Sequence, residues 1–256
     1  MKMKWLLVSG MLISQCVIAK DLKLGVIGNF PPFDYLENGK PAGFNIDLAK
    51  RFCDVMKEKC QFVIIKWDDL IPAVETGKID AIATSMAIIP ERQKRVLFSK
   101  RYMRVGGSFV AKKKKFLTTY VTAMDLSNKT VGVQGNTIYS NYMNGKYGSN
   151  KSIKIVEYPA VDEMYTDLQS GKIDILLDDL ISAYDGHITQ KKWSGMDLVG
   201  SPIIEPKYLG DGEGIAVNLK NPQLKQKFDQ AIDAVIKDGS YRDIMNKYFI
   251  FDIYGF

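Results

Sequence analysis

The tetrad Gly-Lys-Ile-Asp stands twice in this chain of 256 residues, at 77–80 and again 94 positions later at 171–174. Each copy follows a helical pattern, from Trp67-Asp68-Asp69-Leu70 in the first case and from Asp162 in the second, and each leads into an apolar run. A second echo lies upstream: Gly25-Val26-Ile27-Gly28-Asn29 against Gly132-Val133-Gln134-Gly135-Asn136. A strand, a Gly-Asn loop, a helix, a glycine stop and a second strand therefore occur in the same order in both halves. Recurrence of one supersecondary unit implies two copies of one α/β lobe, and strands alternating with helices imply mostly parallel sheets. Open α/β sheets take ligands beyond the carboxyl ends of their strands. Two such lobes facing each other enclose a cleft.

In the first lobe the strand Ile79–Ala83 is expected to end in the hydroxyls of Thr84 and Ser85, followed by Met86. A helix then starts at Pro90, with Arg92 in its first turn. A helix N-terminus and a forked guanidinium both favour an anion, and the fork holds a carboxylate through two parallel bonds. Taken alone the segment also fits an ordinary solvated basic helix; the repeat is what sets it in a cleft. In the second lobe, Thr137 follows the Gly-Asn loop, and Asp178-Asp179 follow the three apolar residues at 175–177, where a buried strand meets the same space.

The remaining elements follow from periodicity. Strand 22–27 breaks at Asn29-Phe30-Pro31-Pro32-Phe33, with Phe30 facing the cleft and Phe33 the core. Helix 45–56 carries Ile46, Leu48, Ala49, Phe52 and Val55 on one side. Strand 61–66 hands over to Trp67, an aromatic wall candidate. Val105-Gly106-Gly107 reads as one crossing between lobes and Ser201-Pro202 as the return. The first lobe is thus expected at 20–106 and 206–256, the second at 107–205. The run Gly210-Asp211-Gly212-Glu213-Gly214 lacks the dinucleotide spacing and precedes a strand. Asn221-Pro222 opens a closing helix that Gly239 stops, and a last short helix caps the lobe.

Met1–Ala19 has lysines at 2 and 4, an apolar run and a small-residue exit, a secretory leader pattern cleaved after Ala19. Its loss takes away Cys16 and lowers the formal charge from +6 by two, to +4. Cys53 and Cys60 remain, with six residues between them. In an exported chain they read as a disulfide worth roughly 2 to 3 kcal/mol; two buried thiols are the alternative. The charge is too mild and scattered for nucleic acid. His187, the only histidine, has no metal-ligand or triad spacing around it and reads as a surface residue, so neither metal nor cofactor is implied.

The leader, N-F-P-P-F at 29–33, G-F-N-I-D-L at 43–48, W-D-D-L-I-P-A at 67–73, G-K-I-D-A-I at 77–82, P-E-R-Q-K at 90–94 and K-Y-L-G-D-G-E-G-I-A-V at 207–217 together resemble the periplasmic solute-binding proteins of polar amino acid ABC transporters. Nearest are the lysine/arginine/ornithine-, histidine- and arginine-binding members. The resemblance implies the two-lobed periplasmic binding protein fold of type II, with two hinge crossings. It implies a monomer that delivers a free amino acid to an inner-membrane permease, and no catalysis. Arg92 would grip the ligand carboxylate with help from Thr84, Ser85, Met86 and Thr137; Asp179 would take the ammonium; Phe30 and Trp67 would sandwich the side chain. Where lysine/arginine/ornithine-binding members have an acid for the basic side chain, this chain has Ile27; it has Phe30 for a Tyr and Ala87 for a serine. A guanidinium gains more than an ammonium between two rings, so the expected order is arginine, then lysine, ornithine or histidine, then neutral polar, then acidic amino acids. Asp178 is the candidate substitute for the missing acid. The alternative on the same fold is a periplasmic cyclohexadienyl dehydratase, for which Asp178 would be the spare acid.

Overall fold

The computed structural model describes residues 21–255, so the leader expected at Met1–Ala19, with Cys16, lies outside the described residues. The chain opens with β1 (Leu22–Val26) and a small antiparallel sheet of β2 (Asn29–Phe30), β3 (Asp34–Glu37) and β4 (Lys40–Ala42). Helix α1 (Phe44–Met56), β5 (Cys60–Ile64), α2 (Leu70–Glu75), β6 (Ala81–Ala87), α3 (Pro90–Gln93) and β7 (Val96–Met103) follow. The chain then crosses to β8 (Gly107–Lys112), β9 (Thr130–Gln134), α4 (Ile138–Tyr147), β10 (Lys154–Tyr158), α5 (Val161–Ser170), β11 (Ile175–Asp179) and β12 (Met196–Ile203). It returns through α6 (Pro206–Leu209) to β13 (Glu213–Asn218), α7 (Pro222–Lys237) and α8 (Ser240–Met245).

Two five-stranded sheets result, ordered β5-β1-β6-β13-β7 and β10-β9-β11-β8-β12. They match position for position. In each the first three strands are parallel and the fourth runs against both neighbours. The reversed strand is the one that enters after a crossing, β13 in one sheet and β8 in the other. A strand arriving from the opposite lobe comes in against the direction that the βαβ units set, so both lobes are tied together through the middle of their sheets.

The repeated tetrad does the same work in both sheets. Asp80 Oδ2 accepts from the Lys23 N–H at 2.8 Å, and Asp174 Oδ2 accepts from the Thr130 N–H at 2.9 Å. Each carboxylate thereby satisfies a donor at the start of its lobe's leading strand. The isoleucines before them, Ile79 and Ile173, lie over Gly25 and Gly132; a Cβ there would come within 2.4 and 2.6 Å of the isoleucine Cδ1 atoms. Any side chain there would have to displace the isoleucine tips, which favours a glycine in the middle of two apolar strands.

Helix α1 buries Phe44, Ile46, Leu48, Ala49 and Phe52 in one cluster with Phe228, Ala231, Ile232 and Val235 of α7. Phe33 is fully buried in that cluster, as expected. Cys53 and Cys60 are bonded and tie the last turns of α1 to the first residue of β5. Two expectations are corrected. The strand placed at Ile79–Ala83 starts at Ala81 and continues to Ala87, so Thr84 and Ser85 lie inside β6 rather than at its end. The hydroxyls are tolerated there because both find partners: Thr84 Oγ1 donates to Asp34 Oδ2 at 2.6 Å, and Asn45 Nδ2 donates to Ser85 Oγ at 2.9 Å. His187 is not on the surface. It is 3% exposed, stacked on Tyr165 with ring centres 3.9 Å apart, its Nδ1 2.9 Å from the Ser182 carbonyl. The π-helix Ser182–Ile188 tucks it beneath α5, and burial pushes its pKa down, away from the charged form.

Candidate functional site

On the first lobe the site grows from Asp34. This fully buried carboxylate accepts from the N–H groups of Ile27 and Gly28 at 2.9 and 3.0 Å, from Asn45 Nδ2 at 3.0 Å and from Thr84. It fixes the exit of β1 against α1 and β6. Burial still raises its pKa to about 6 in spite of four donors. With β6 so held, Ser85 and Ala87 reach the cleft cavity. Met86 between them is buried in the opposite cluster with Ile65, Leu70 and Ile82.

Pro90 opens α3, and Arg92 in that short helix is only 7% exposed. Its Nη1 donates to the Ala87 carbonyl at 3.2 Å and its Nη2 to the Asn136 carbonyl at 3.0 Å. The guanidinium carbon lies 5.2 Å from the Trp67 ring centre. Burial lowers the Arg92 pKa to about 10, while Glu213 and Glu91 act to hold it up; it remains a cation at neutral pH.

On the second lobe Thr137 caps α4. Its Oγ1 accepts from the Ser140 N–H at 3.2 Å and donates to the Gln134 carbonyl at 2.7 Å. The capping box turns the helix N-terminus toward the cavity, which Thr137, Ile138 and Tyr139 line. At the end of β11, Asp179 Oδ1 accepts from the N–H groups of Ile181 and Ser182, both at 2.9 Å, and Oδ2 accepts from the Tyr139 hydroxyl at 3.2 Å. Asp178 Oδ1 accepts from the Asp179 N–H at 2.8 Å, and its Oδ2 accepts from the Tyr165 hydroxyl at 3.2 Å. Both acids are buried, and loss of water raises their pKa values to about 7 for Asp178 and about 6 for Asp179.

Of the eight binding residues expected from the sequence, Phe30, Trp67, Ser85, Arg92, Thr137 and Asp179 line one cavity between the lobes. Thr84 and Met86 do not. Ile27 and Ala87, two of the three positions at which the resemblance to the basic-amino-acid binders breaks, face the same cavity, as does the third, Phe30. Phe30 stacks on Phe33 at 5.0 Å, so one of its faces is used by the core, while Trp67 carries Arg92.

Three residues of the site escaped the sequence reading. Asn136 joins the lobes: its carbonyl accepts from Arg92 and, at 3.2 Å, from Trp67 Nε1, and its Nδ2 donates to Asp68 Oδ1 at 2.8 Å. The Gly-Asn echo marked the position but not the role. Tyr139 supports Asp179. Glu213 enters the cavity from β13, 4% exposed, and nothing in its glycine-rich surroundings announced a buried acid. Among the described residues no cluster of His, Cys, Asp and Glu is arranged to hold a metal ion, and no helix is long and apolar enough to cross a membrane.

Two matched α/β lobes, two crossings and a cavity walled by both lobes define the class of the two-lobed periplasmic binding proteins. The chain belongs to family 3 of the bacterial extracellular solute-binding proteins, whose sequence model matches residues 22–251. It is 34% identical over 237 residues to the L-arginine-binding protein of Pseudomonas aeruginosa, covering 92% of this chain and 90% of that protein. It is 31% identical to the lysine/arginine/ornithine-binding periplasmic protein of Escherichia coli, over 94% of this chain and 92% of the other. Among solved structures, an ancestral arginine-binding protein bound to arginine superposes with a TM-score of 0.80 at 33% identity, over 90% of this chain and 98% of that one.

Proposed function

We propose that this protein is exported by a leader cleaved after Ala19 and binds one free basic amino acid, arginine before lysine, in the periplasm, as a monomer that delivers it to an inner-membrane ABC permease. The observation that carries the reading is the pairing of Arg92 on one lobe with Asp179 on the other, both buried and both facing one cavity. A zwitterion taken out of water needs a hydrogen-bonded counter-charge at each end. Arg92, with the α4 N-terminus opposite, suits the carboxylate, and Asp179 suits the ammonium. Because the two partners stand on different lobes, a ligand that bridges them holds the cleft shut, and closure about the two crossings is the signal a permease can read.

Arginine is favoured by the names of the relatives and by the walls. A planar guanidinium gains about 0.5 to 2 kcal/mol against an aromatic face, and Phe30 and Trp67 supply faces. Binding rather than turnover is favoured by Asp178, the acid a dehydratase would need free, because both of its oxygens accept hydrogen bonds from the protein. Calorimetry against a panel of free amino acids tests the reading: arginine is expected to give heat at micromolar concentration with one site per chain. No heat from any amino acid overturns it.

A further inference from the structure

Glu213 is the acid that the cleft does not use for itself. It is the first residue of β13 and stands opposite Ala87 of β6 in antiparallel register, so the two side chains share a face of the sheet. That face is the cavity wall, where both residues are found. Ala87 is small, and the longer acid projects over it. The Glu213 carboxyl draws support from the Val105 N–H and from its own N–H; its Oε2 is fully buried and has no hydrogen-bond partner among the described residues. The other acids at the cavity are satisfied, Asp179 by Tyr139 and two N–H groups, Asp178 by Tyr165 and one N–H. Arg104 is the cation next to Glu213 along the crossing and offsets part of its charge; its Nη2 donates to the Asp211 carbonyl at 3.3 Å, and its Nε is buried without a hydrogen-bond partner among the described residues.

We propose that Glu213 receives the cationic end of the ligand side chain and thereby sets the preference for a basic amino acid over its neutral analogues, replacing from β13 the acid that Ile27 lacks. The inference rests on the binding reading above and names which end of the ligand Glu213 meets. A zwitterion with a neutral side chain engages Arg92 and Asp179 and leaves the Glu213 oxygen buried and unpaired, at a cost that a cation removes. An acidic side chain would add a further anion beside three buried carboxyls, with Arg92 the one guanidinium lining the cavity among the described residues. Burial and the nearby Asp179 push the Glu213 carboxyl well up, toward its neutral form; a ligand cation at Oε2 opposes that and restores the ionised form. Ile27, apolar and in the same wall, then serves as packing for the side-chain methylenes.

The experiment compares arginine with citrulline, which has the same shape without the charge, and with glutamine, by calorimetry on the parent and on Glu213→Gln, a substitution that keeps the volume. The expected result is a fall of at least tenfold in arginine affinity with citrulline and glutamine changed less than twofold, their retained binding showing that the variant is folded. Unchanged arginine affinity overturns the proposal. So does an equal loss for all three ligands, which would assign Glu213 to the α-amino end or to the hinge, and so does a collapse of the arginine-to-citrulline ratio in Asp178→Asn but not in Glu213→Gln. A parent that binds none of the three brings down the binding reading as well; a parent that binds arginine with an unresponsive Glu213→Gln brings down this inference alone.

Discussion

Gly186 of the second lobe meets Pro31 of the first so closely that a Cβ at position 186 would lie 2.4 Å from the Pro31 carbonyl oxygen. The obstacle is backbone on both sides, so neither partner can swing away. Ala at 186 suits a helix in the isolated lobe and obstructs only the docking of that lobe on the Pro31-Pro32 loop. Gly186→Ala is therefore expected to hold the cleft ajar and weaken arginine binding roughly tenfold, about 1.4 kcal/mol, while the melting midpoint of the ligand-free protein stays where it is. Calorimetry beside a thermal melt separates the two effects; full affinity in the variant would mean that the bound state is more open than the Gly186–Pro31 contact allows.

Arg92→Lys keeps the charge and removes the fork. An ammonium cannot serve the carbonyls of Ala87 and Asn136 and a ligand carboxylate in the same plane, so the expected loss is about 2 to 5 kcal/mol of binding. Asp179→Asn is expected to cost a comparable amount, through the unpaired ammonium. Both are measured by titration with arginine, with circular dichroism to confirm the fold, and binding at the parental level by either variant would remove that residue from the anchor.

The Cys53–Cys60 bond should matter for stability and not for the ligand. Asn45, at the start of α1, donates to Ser85 in the cleft wall, whereas Cys53 lies eight residues on, about 12 Å further along the helix. Replacing both cysteines by serine is expected to lower the unfolding free energy by about 2 to 3 kcal/mol in urea melts and to leave the arginine Kd within a factor of two.

Stability and affinity should respond to pH in opposite directions. Asp34 and Asp179 have pKa values raised to about 6 and Asp178 to about 7. Between the ordinary carboxylate value and these, the folded state binds more protons than the unfolded chain. Folding is therefore favoured at the acid end of that window and loses stability as pH rises through 6 to 7. The exposed Asp238, lowered to about 2 by Ser240 and Arg51, acts the other way, but only below about pH 4. Ligand binding needs Asp179 ionised, so arginine affinity should rise over the same interval in which the empty protein becomes less stable. Melting midpoints from pH 5 to 8, with and without arginine, are expected to diverge; curves that run parallel would contradict the assignment of Asp179 to the ammonium.

What is local or repeated was legible in the sequence. The two Gly-Lys-Ile-Asp tetrads predict two sheets, because each Asp and each Ile acts on the strand that leads its own lobe, and both halves solve that packing problem alike. Helices α1 and α7 are legible from their apolar faces, the disulfide from the two cysteines that close a short loop, and Arg92 from the proline that starts its helix. What depends on register between distant segments emerged only with the folded chain. Thr84 reads as a ligand hydroxyl until Asp34, fifty positions away, is seen to take it. His187 reads as exposed until the π-helix folds it under Tyr165. Glu213 sits in a glycine run that looks like a loop, and it becomes a cleft residue only because β13 returns from the other lobe and pairs with Ala87. Periodicity records which side of an element is apolar; it carries no information on which side chain of another element lies across from it, and that is where the unpaired charges of this cleft are set.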